Sequence, residues 1–233
     1  MFTYYKVGGC VRDHVMGVRC KDIDLLAIGG SFDELEKDVI SQGGVIYISK
    51  PEFLTIRCNY PKIGPCDIRL ARKDGDYSDG RRPDKVFLAD DVRDDINTRD
   101  FTMNALLQDL ESGEVIDYVG GLNDIKNRTI NTVGNAVDRF EEDYLRLLRA
   151  VRFSITKGFD ISLDIHDCLM DAQIIYGLKN VSIERIYEEL FKCFKHDTLA
   201  TLKFLEEYSE LRDMVFDGLH CGPLWLKPTL EVK

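Results

Sequence analysis

What this 233-residue chain lacks narrows the classes it can join. No apolar run approaches the ~20 residues of a membrane span, and Met1 to Tyr5 lacks the basic-then-apolar layout of a secretory leader. The expectations are no membrane and a cytoplasmic location. Seven cysteines, at positions 10, 20, 58, 66, 168, 193 and 221, are odd in number and include no C-x-x-C pair. Neither a disulfide framework nor a zinc knuckle is indicated, which leaves reduced thiols. The four histidines are scattered, and none is assigned chemistry. Positive charge is short as well: 31 Lys and Arg stand against 41 Asp and Glu, a net charge of −10. Non-specific attraction to phosphate scales with a basic face, so any polyanion has to be met locally. The candidate patches are Arg69, Arg72 and Lys73; Arg81, Arg82 and Lys85; and Arg146, Arg149 and Arg152.

What is present begins with 44 % apolar residues, enough to bury a core in one large or two small domains. One stretch organises the rest. Tyr4 to Val7 reads as a short strand, Gly8 and Gly9 turn it, and Cys10 to Gly17 reads as one or two turns of helix. Backbone N–H groups at such a turn, helped by the helix dipole, make a phosphate seat, and Arg12 is placed to fork onto phosphate oxygens. Ile23, Leu25 and Ile28 then make a strand whose period of two puts Asp22 and Asp24 side by side, opposite Ile23 and Leu25. Two such carboxylates repel unless a divalent cation such as Mg²⁺ sits between them. A glycine pair or an Asp-x-Asp pair alone is weak. Strand, glycine turn, helix and acidic pair together describe a site for a nucleoside triphosphate and metal.

Ser31 caps a helix carrying Leu35, Val39 and Ile40, which Gly43 and Gly44 end, and strands follow at Val45 to Ile48, Phe53 to Cys58 and Cys66 to Leu70. In the last strand Asp67 points away from Ile68 and Leu70. It is either a third carboxylate, holding metal or accepting a proton, or a solvated strand residue. Lys73 to Asp84 forms a polar loop in the position of an active-site flap. Asp100 and Asn104, beside Arg99, share a face if that segment is helical, and a carboxylate beside an amide suits a ribose. A hairpin closes at Gly113-Glu114, and the glycines of Asp117 to Asp124 suggest a hinge.

From about Arg139 strands give way to helices. Glu141 to Phe153 reads as one helix with Tyr144, Leu147, Leu148 and Val151 on its buried stripe. Asp143, Arg146, Arg149 and Ala150 line the adjacent face, and Asp143 and Arg146 are spaced to hold each other, either as an ordinary surface pair or as an acceptor beside donors. The second arrangement complements cytosine and adenine but not guanine and uracil. A later helix over Val181 to Lys192 starts at Ser182, and runs at Leu199–Leu205 and Ser209–Val215 precede a tail.

Taken in order, GGCVRD, DIDLL, YSDGRRP, TRDFTMNAL, DYVGGLNDI, EEDYLRLLRAVRF and VSIERIYEEL resemble the class II tRNA nucleotidyltransferases, a family that includes CCA-adding enzymes and bacterial poly(A) polymerases. The resemblance runs from about Tyr5 to Leu211. It implies an α+β fold: a nucleotidyltransferase head over residues 1–138 with a small mixed sheet, a helical neck over 139–217, and a tail over 218–233. Gly8, Gly9, Arg12 and Asp13 would seat the triphosphate, and Asp22 and Asp24 would carry two Mg²⁺ ions, with Asp67 as a further catalytic candidate. Arg99, Asp100 and Asn104 would meet the sugar, Asp117 to Asp124 would be the hinge motif, and Glu142, Asp143 and Arg146, with Arg149 beside them, would select the base. Glu184 to Leu190 would brace that template.

The implied partners are ATP, CTP and a tRNA or other RNA 3′ end. Thr98 stands where the family usually has arginine, which predicts reduced nucleotide affinity. The chain stops where members usually continue into tRNA-gripping domains, so weak tRNA binding is expected unless a homo-oligomer or partner substitutes. Pro61 to Cys66 lacks the basic segment of the poly(A) polymerases, and the Asp74–Pro83 loop favours a complete C, C and A program. The alternatives are a poly(A) or A-only polymerase and a catalytically weak RNA- or nucleotide-binding module.

Overall fold

The computed structural model describes residues 2–20, 22–75 and 85–218, the last two as backbone only. The expected flap, with Arg81 and Arg82, and the tail lie almost wholly outside these residues. The described chain forms two compact units, the first ending at Gly134 and the second beginning at Asn135. That junction falls four residues ahead of the change of texture read from the sequence, because the first helix of the second unit already begins at Ala136.

The first unit is built on a seven-stranded mixed sheet in the order β3-β4-β5-β2-β1-β8-β9. Its strands are β1 (Thr3–Val7), β2 (Ile23–Ile28), β3 (Val45–Lys50), β4 (Thr55–Tyr60), β5 (Gly64–Leu70), β8 (Leu107–Asp109) and β9 (Val115–Ile116). β6 (Arg72–Asp74) and β7 (Val86–Leu88) pair separately as a ribbon. Only β2 and β5 run parallel; the other neighbours are antiparallel. Alternation along β2 splits the core. Leu25 and Ala27 join Ile56, Ile68 and the Leu35 and Val39 face of α2 (Phe32–Ser41), while Leu26 joins Val7, Leu107 and the Val92 and Ile96 face of α3 (Val92–Ile96). Each such fully buried aliphatic side chain contributes about 1.5–3 kcal/mol. Ser31 starts α2 with a reciprocal box: its hydroxyl accepts the Glu34 N–H, and the Glu34 carboxylate accepts the Ser31 N–H at 2.8 Å. Asp24 follows Leu26 onto the second face, which is why the acidic pair escapes the core packed by α2.

The second unit is helical: α5 (Ala136–Glu142), α6 (Leu145–Lys157), α7 (Leu163–Met170), α8 (Ala172–Tyr176), α9 (Ile183–His196), α10 (Thr198–Glu207) and α11 (Ser209–Asp213). α6 packs along α9, with Leu147, Leu148 and Val151 buried on one and Ile186, Leu190 and Cys193 on the other. The single helix expected over Glu141 to Phe153 is two. α5 stops at Glu142, Asp143 is extended at φ −148° and ψ 100°, and α6 starts at Leu145. An Asp side chain offers backbone N–H groups an alternative partner, and here the Asp143 carboxylate accepts the Leu145 N–H at 3.1 Å. Helical periodicity runs through such a break unseen. Ser182 stands at the start of α9 as expected, but its side chain makes no capping bond. Among the described residues no helix is long and apolar enough to cross a membrane.

Candidate active site

β1 runs directly into the glycine turn and α1 (Gly9–Val15). Gly8 has φ +72°, a left-handed backbone that any side chain would strain, and its carbonyl accepts the Val11 and Arg12 N–H groups that open the helix. The first N–H groups of a helix have no partner within it, and this suits the turn to phosphate. Arg12 behaves otherwise than expected. Its guanidinium is buried, with Nε and Nη2 donating to Asp13 Oδ1 at 3.0 and 2.8 Å and Nη1 to Asn104 Oδ1 at 2.6 Å. Rather than forking outward, Arg12 ties the glycine turn to a short 3₁₀ turn, Thr102–Asn104.

The acidic residues gather as the strand period requires. In the parallel register Asp24 lies opposite Asp67, and across β1 it lies opposite Val7, next to the glycine turn. The Asp24 carboxyl is pushed above the usual carboxylate range, first because the surrounding protein thins out its water and next because of Asp67, with Asp22 adding to the effect; Arg99 and Arg69 pull it back. Asp67 is anchored by Arg57, whose Nε and Nη2 donate at 2.8 and 3.3 Å.

Among the described residues no group of three or more His, Cys, Asp or Glu is close enough to hold a metal ion by itself. Asp24 and Asp67 nevertheless face the same side of the sheet as register partners, with Asp22 adding negative charge. An open set of two or three carboxylates fits Mg²⁺, which keeps several positions for water and phosphate.

Two residues that sequence reasoning missed, or read differently, complete this face. Asp95 on α3 is fully buried and takes Arg69 Nη2 on both oxygens, at 2.8 and 2.9 Å, and Arg99 Nη2 on Oδ2 at 2.9 Å. Burial alone would raise the Asp95 carboxyl, but Arg69 and Arg99 outweigh it and hold it below its ordinary value, ionised. The spacing of Asp95 and Arg99 was a readable i, i+4 pair. Nothing in the sequence links Asp95 to Arg69, which the sequence groups with Arg72 and Lys73 as a candidate patch for a polyanion.

Asp100 and Asn104 do share a face: the Asn104 amide donates to Asp100 Oδ1 at 3.2 Å, and the Phe101 N–H donates to the same oxygen at 2.8 Å. The expected hinge segment is tied down within this unit. Asp117 accepts the N–H groups of Val119, Gly120, Gly121 and Leu122 at 2.9–3.1 Å. Asp124, on α4 (Gly121–Asn127), accepts the Thr102 hydroxyl at 2.5 Å and the Asn131 amide at 2.9 Å.

In the second unit the expected Asp143–Arg146 pair does not form. The break at Asp143 turns its carboxylate to Arg185 on α9, at 2.9 Å, while Arg146 donates to Glu142 at 2.7 Å and to the Arg139 carbonyl at 3.0 Å. Arg139 also pairs with Glu142, at 2.5 Å. Arg149 lies over the Phe153 ring at 5.7 Å. A second residue of α9, Glu189, is buried and joins Arg152 and Lys192. Arg185 and Glu189, i and i+4 on α9, thus both grip α6 and the break before it; the sequence marked the helix but not these two residues.

Residues 4–131 match the model of the poly A polymerase head domain. The chain belongs to that family. Head-domain proteins of this kind are metal-dependent nucleotidyltransferases. A CCA-adding enzyme of Staphylococcus saprophyticus is 38 % identical over 199 residues, 85 % of this chain and 48 % of that protein. The structure of the Bacillus stearothermophilus CCA-adding enzyme in complex with CTP superposes with a TM-score of 0.75 at 29 % identity, covering 88 % of this chain and 48 % of that one. A tRNA nucleotidyltransferase complexed with a primer tRNA and an incoming ATP analog superposes with a TM-score of 0.73 at 28 % identity, covering 93 % and 60 %. The chain spans about half the length of the curated relatives it matches.

Proposed function

We propose that the chain is the head and neck of a CCA-adding tRNA nucleotidyltransferase, working in the cytoplasm. It would transfer CMP and AMP from CTP and ATP to a tRNA 3′ end. The observation that carries this reading is the register of Asp24 against Asp67, with Asp22 adjacent, at the foot of a glycine turn in a chain so similar to CCA-adding enzymes.

Asp22 and Asp24, with Asp67 beside them, would hold Mg²⁺, two ions in the fullest form. Bound there, the metal supplies charge neutralisation on the phosphates and acidifies the attacking 3′-hydroxyl. The Gly8–Gly9 turn and the N–H groups after it seat the triphosphate, and Arg99 stands against that turn, its Nη1 3.5 Å from where a Gly8 Cβ would lie. Asp100, oriented by the Phe101 N–H and the Asn104 amide, accepts from the ribose hydroxyls. Asn104 itself is buried, so it positions Asp100 and Arg12 rather than touching sugar. The attack is a displacement at the α-phosphorus with pyrophosphate leaving, and positioning supplies much of the rate.

The neck would choose the base. Asp143 fixed by Arg185, and Arg146 fixed by Glu142, present an acceptor and donors whose geometry is set by separate partners. Such a pair complements cytosine and adenine.

The test is incorporation on a tRNA ending at the discriminator base, with CTP alone, ATP alone or both. Two additions with CTP and a third with ATP are expected; ATP incorporation without prior C would sink the CCA reading in favour of an A-only or poly(A) polymerase, the activity for which the matching family model is named. Absence of any incorporation in both wild type and Asp22→Ala would leave a nucleotide-binding module.

A further inference from the structure

Arg69 is a cation on the acidic face of the sheet that the proposed reaction does not yet use. It stands two residues beyond Asp67 on β5, so both side chains leave the same face, about 7 Å apart along the strand. Its register partner on β2 is Leu26, two residues beyond Asp24. Arg69 is therefore the next same-face side chain after Asp67 along β5 and the diagonal neighbour of Asp24 across the strand pair.

Its guanidinium is held, but only in part. Nη2 is engaged by both oxygens of Asp95, which is fully buried and bound to Arg99 as well. Among the described residues Nε and Nη1 of Arg69 have no hydrogen-bond partner, and the side chain is 29 % exposed. One buried carboxylate thus joins two guanidiniums into a unit of net charge +1. Arg99 is pressed against the glycine turn, and Arg69, on the face of the carboxylates, keeps its Nε and Nη1 N–H groups open. A guanidinium of fixed orientation with free N–H donors is suited to single charge-assisted hydrogen bonds with phosphate oxygens.

We propose that Arg69 is a further triphosphate-binding residue of this site, and that Asp95 is its positioning residue. The inference rests on the nucleotidyl-transfer reading and deepens it: Asp95 holds both Arg69, on the face of the carboxylates, and Arg99, against the glycine turn. Thr98 fits this arrangement. Its hydroxyl donates to the Asp95 carbonyl at 2.8 Å, so it helps hold the turn that carries the shared carboxylate and leaves the second prong to β5.

The test is equilibrium binding of CTP and CMP to the full chain in Mg²⁺ by titration calorimetry, with thermal melts alongside. Arg69→Ala leaves Asp95 paired with Arg99, so the fold is expected to survive. Loss of a charge-assisted contact predicts CTP affinity lowered about tenfold or more, with CMP within about twofold. Arg69→Lys is expected to fall between, because it restores charge without the guanidinium's fixed N–H directions. Asp95→Asn should also weaken CTP more than CMP. A purely structural role would move the melting temperature without moving the ratio of CTP to CMP affinity. An Arg69→Ala protein that changes both affinities by the same factor, or neither, overturns the proposal, as does a wild type with no preference for CTP over CMP. A wild type that prefers CTP, loses that preference in Arg69→Ala, and yet adds nothing to any RNA would sink the proposed function while leaving this inference standing.

Discussion

Asp24 and Asp67 are register partners on adjacent parallel strands, and their carboxylates leave the same face of the sheet side by side. The Asp24 carboxyl lies above its ordinary value of 3.8 through thinned hydration first and Asp67 second. A raised folded-state value means the site favours the protonated acid. Its stabilising effect is complete below the ordinary value and is lost as pH rises through the raised one. At neutral pH the metal-free fold therefore carries a penalty, kept small by the exposure of Asp24 to solvent.

Asp24→Asn should remove that penalty. Chelated protein is expected to melt higher as Asp24→Asn than as wild type at pH 7, with the difference vanishing below about pH 4. Added Mg²⁺ should raise the wild-type melting temperature and leave the variant's unchanged. Incorporation should fall by a hundredfold or more, beyond the ~10–100-fold cost of losing a supporting residue. Equal melting temperatures at pH 7 would contradict the crowding argument.

Arg185→Ala should alter base choice more than catalytic rate. The Arg185–Asp143 pair is partly exposed, so its removal should cost only ~1 kcal/mol of stability. The Asp143 carboxylate would then be held, among the described residues, only by the Leu145 N–H. Comparing CTP and ATP with UTP and GTP incorporation is expected to show discrimination reduced while total turnover changes less; unchanged discrimination would remove Asp143 from the template.

Glu189 should matter to stability in a pH-dependent way. Burial would raise its carboxyl, but Arg152 and then Lys192 outweigh that and hold it below its ordinary 4.5. The stabilisation is present above 4.5 and lost as pH falls through the lowered value. Glu189→Ala leaves the partly buried Arg152 without its carboxylate, a cost of about 1–3 kcal/mol at neutral pH. Denaturant melts at pH 7 and pH 3 should show that cost shrinking in acid.

Gly121→Ala should destabilise the first unit by about 3 kcal/mol. An added Cβ would stand 2.2 Å from the Thr102 carbonyl oxygen, a backbone atom that cannot swing aside. The same shift would strain the Asp124–Thr102 contact and, through the 3₁₀ turn, the Asn104–Arg12 bond. A melting temperature lower by several degrees, with weaker nucleotide binding, is the expected result.

Local pattern was enough to read the strand, glycine turn, helix and acidic pair near the N-terminus, because a turn needs glycine where φ is positive and a strand alternates its faces whatever surrounds it. The same logic placed Asp67 opposite Ile68 and Leu70, and Asp100 with Asn104. It failed where a side chain competes with the backbone. Asp143 breaks a helix whose apolar period continues across the break, and periodicity carries no record of which N–H a carboxylate will accept.

The sequence by itself determined which residues are acidic, where the chain turns and which faces are apolar, since these follow from single residues and their near neighbours. Only the tertiary structure decided the partners: Arg12 inward to Asn104, Asp143 to Arg185, and Arg69 with Arg99 on Asp95. The reason is distance along the chain. A charged side chain has many candidate partners of opposite sign, and the sheet register and helix packing alone bring residues 26, 42 or 92 positions apart within hydrogen-bond reach.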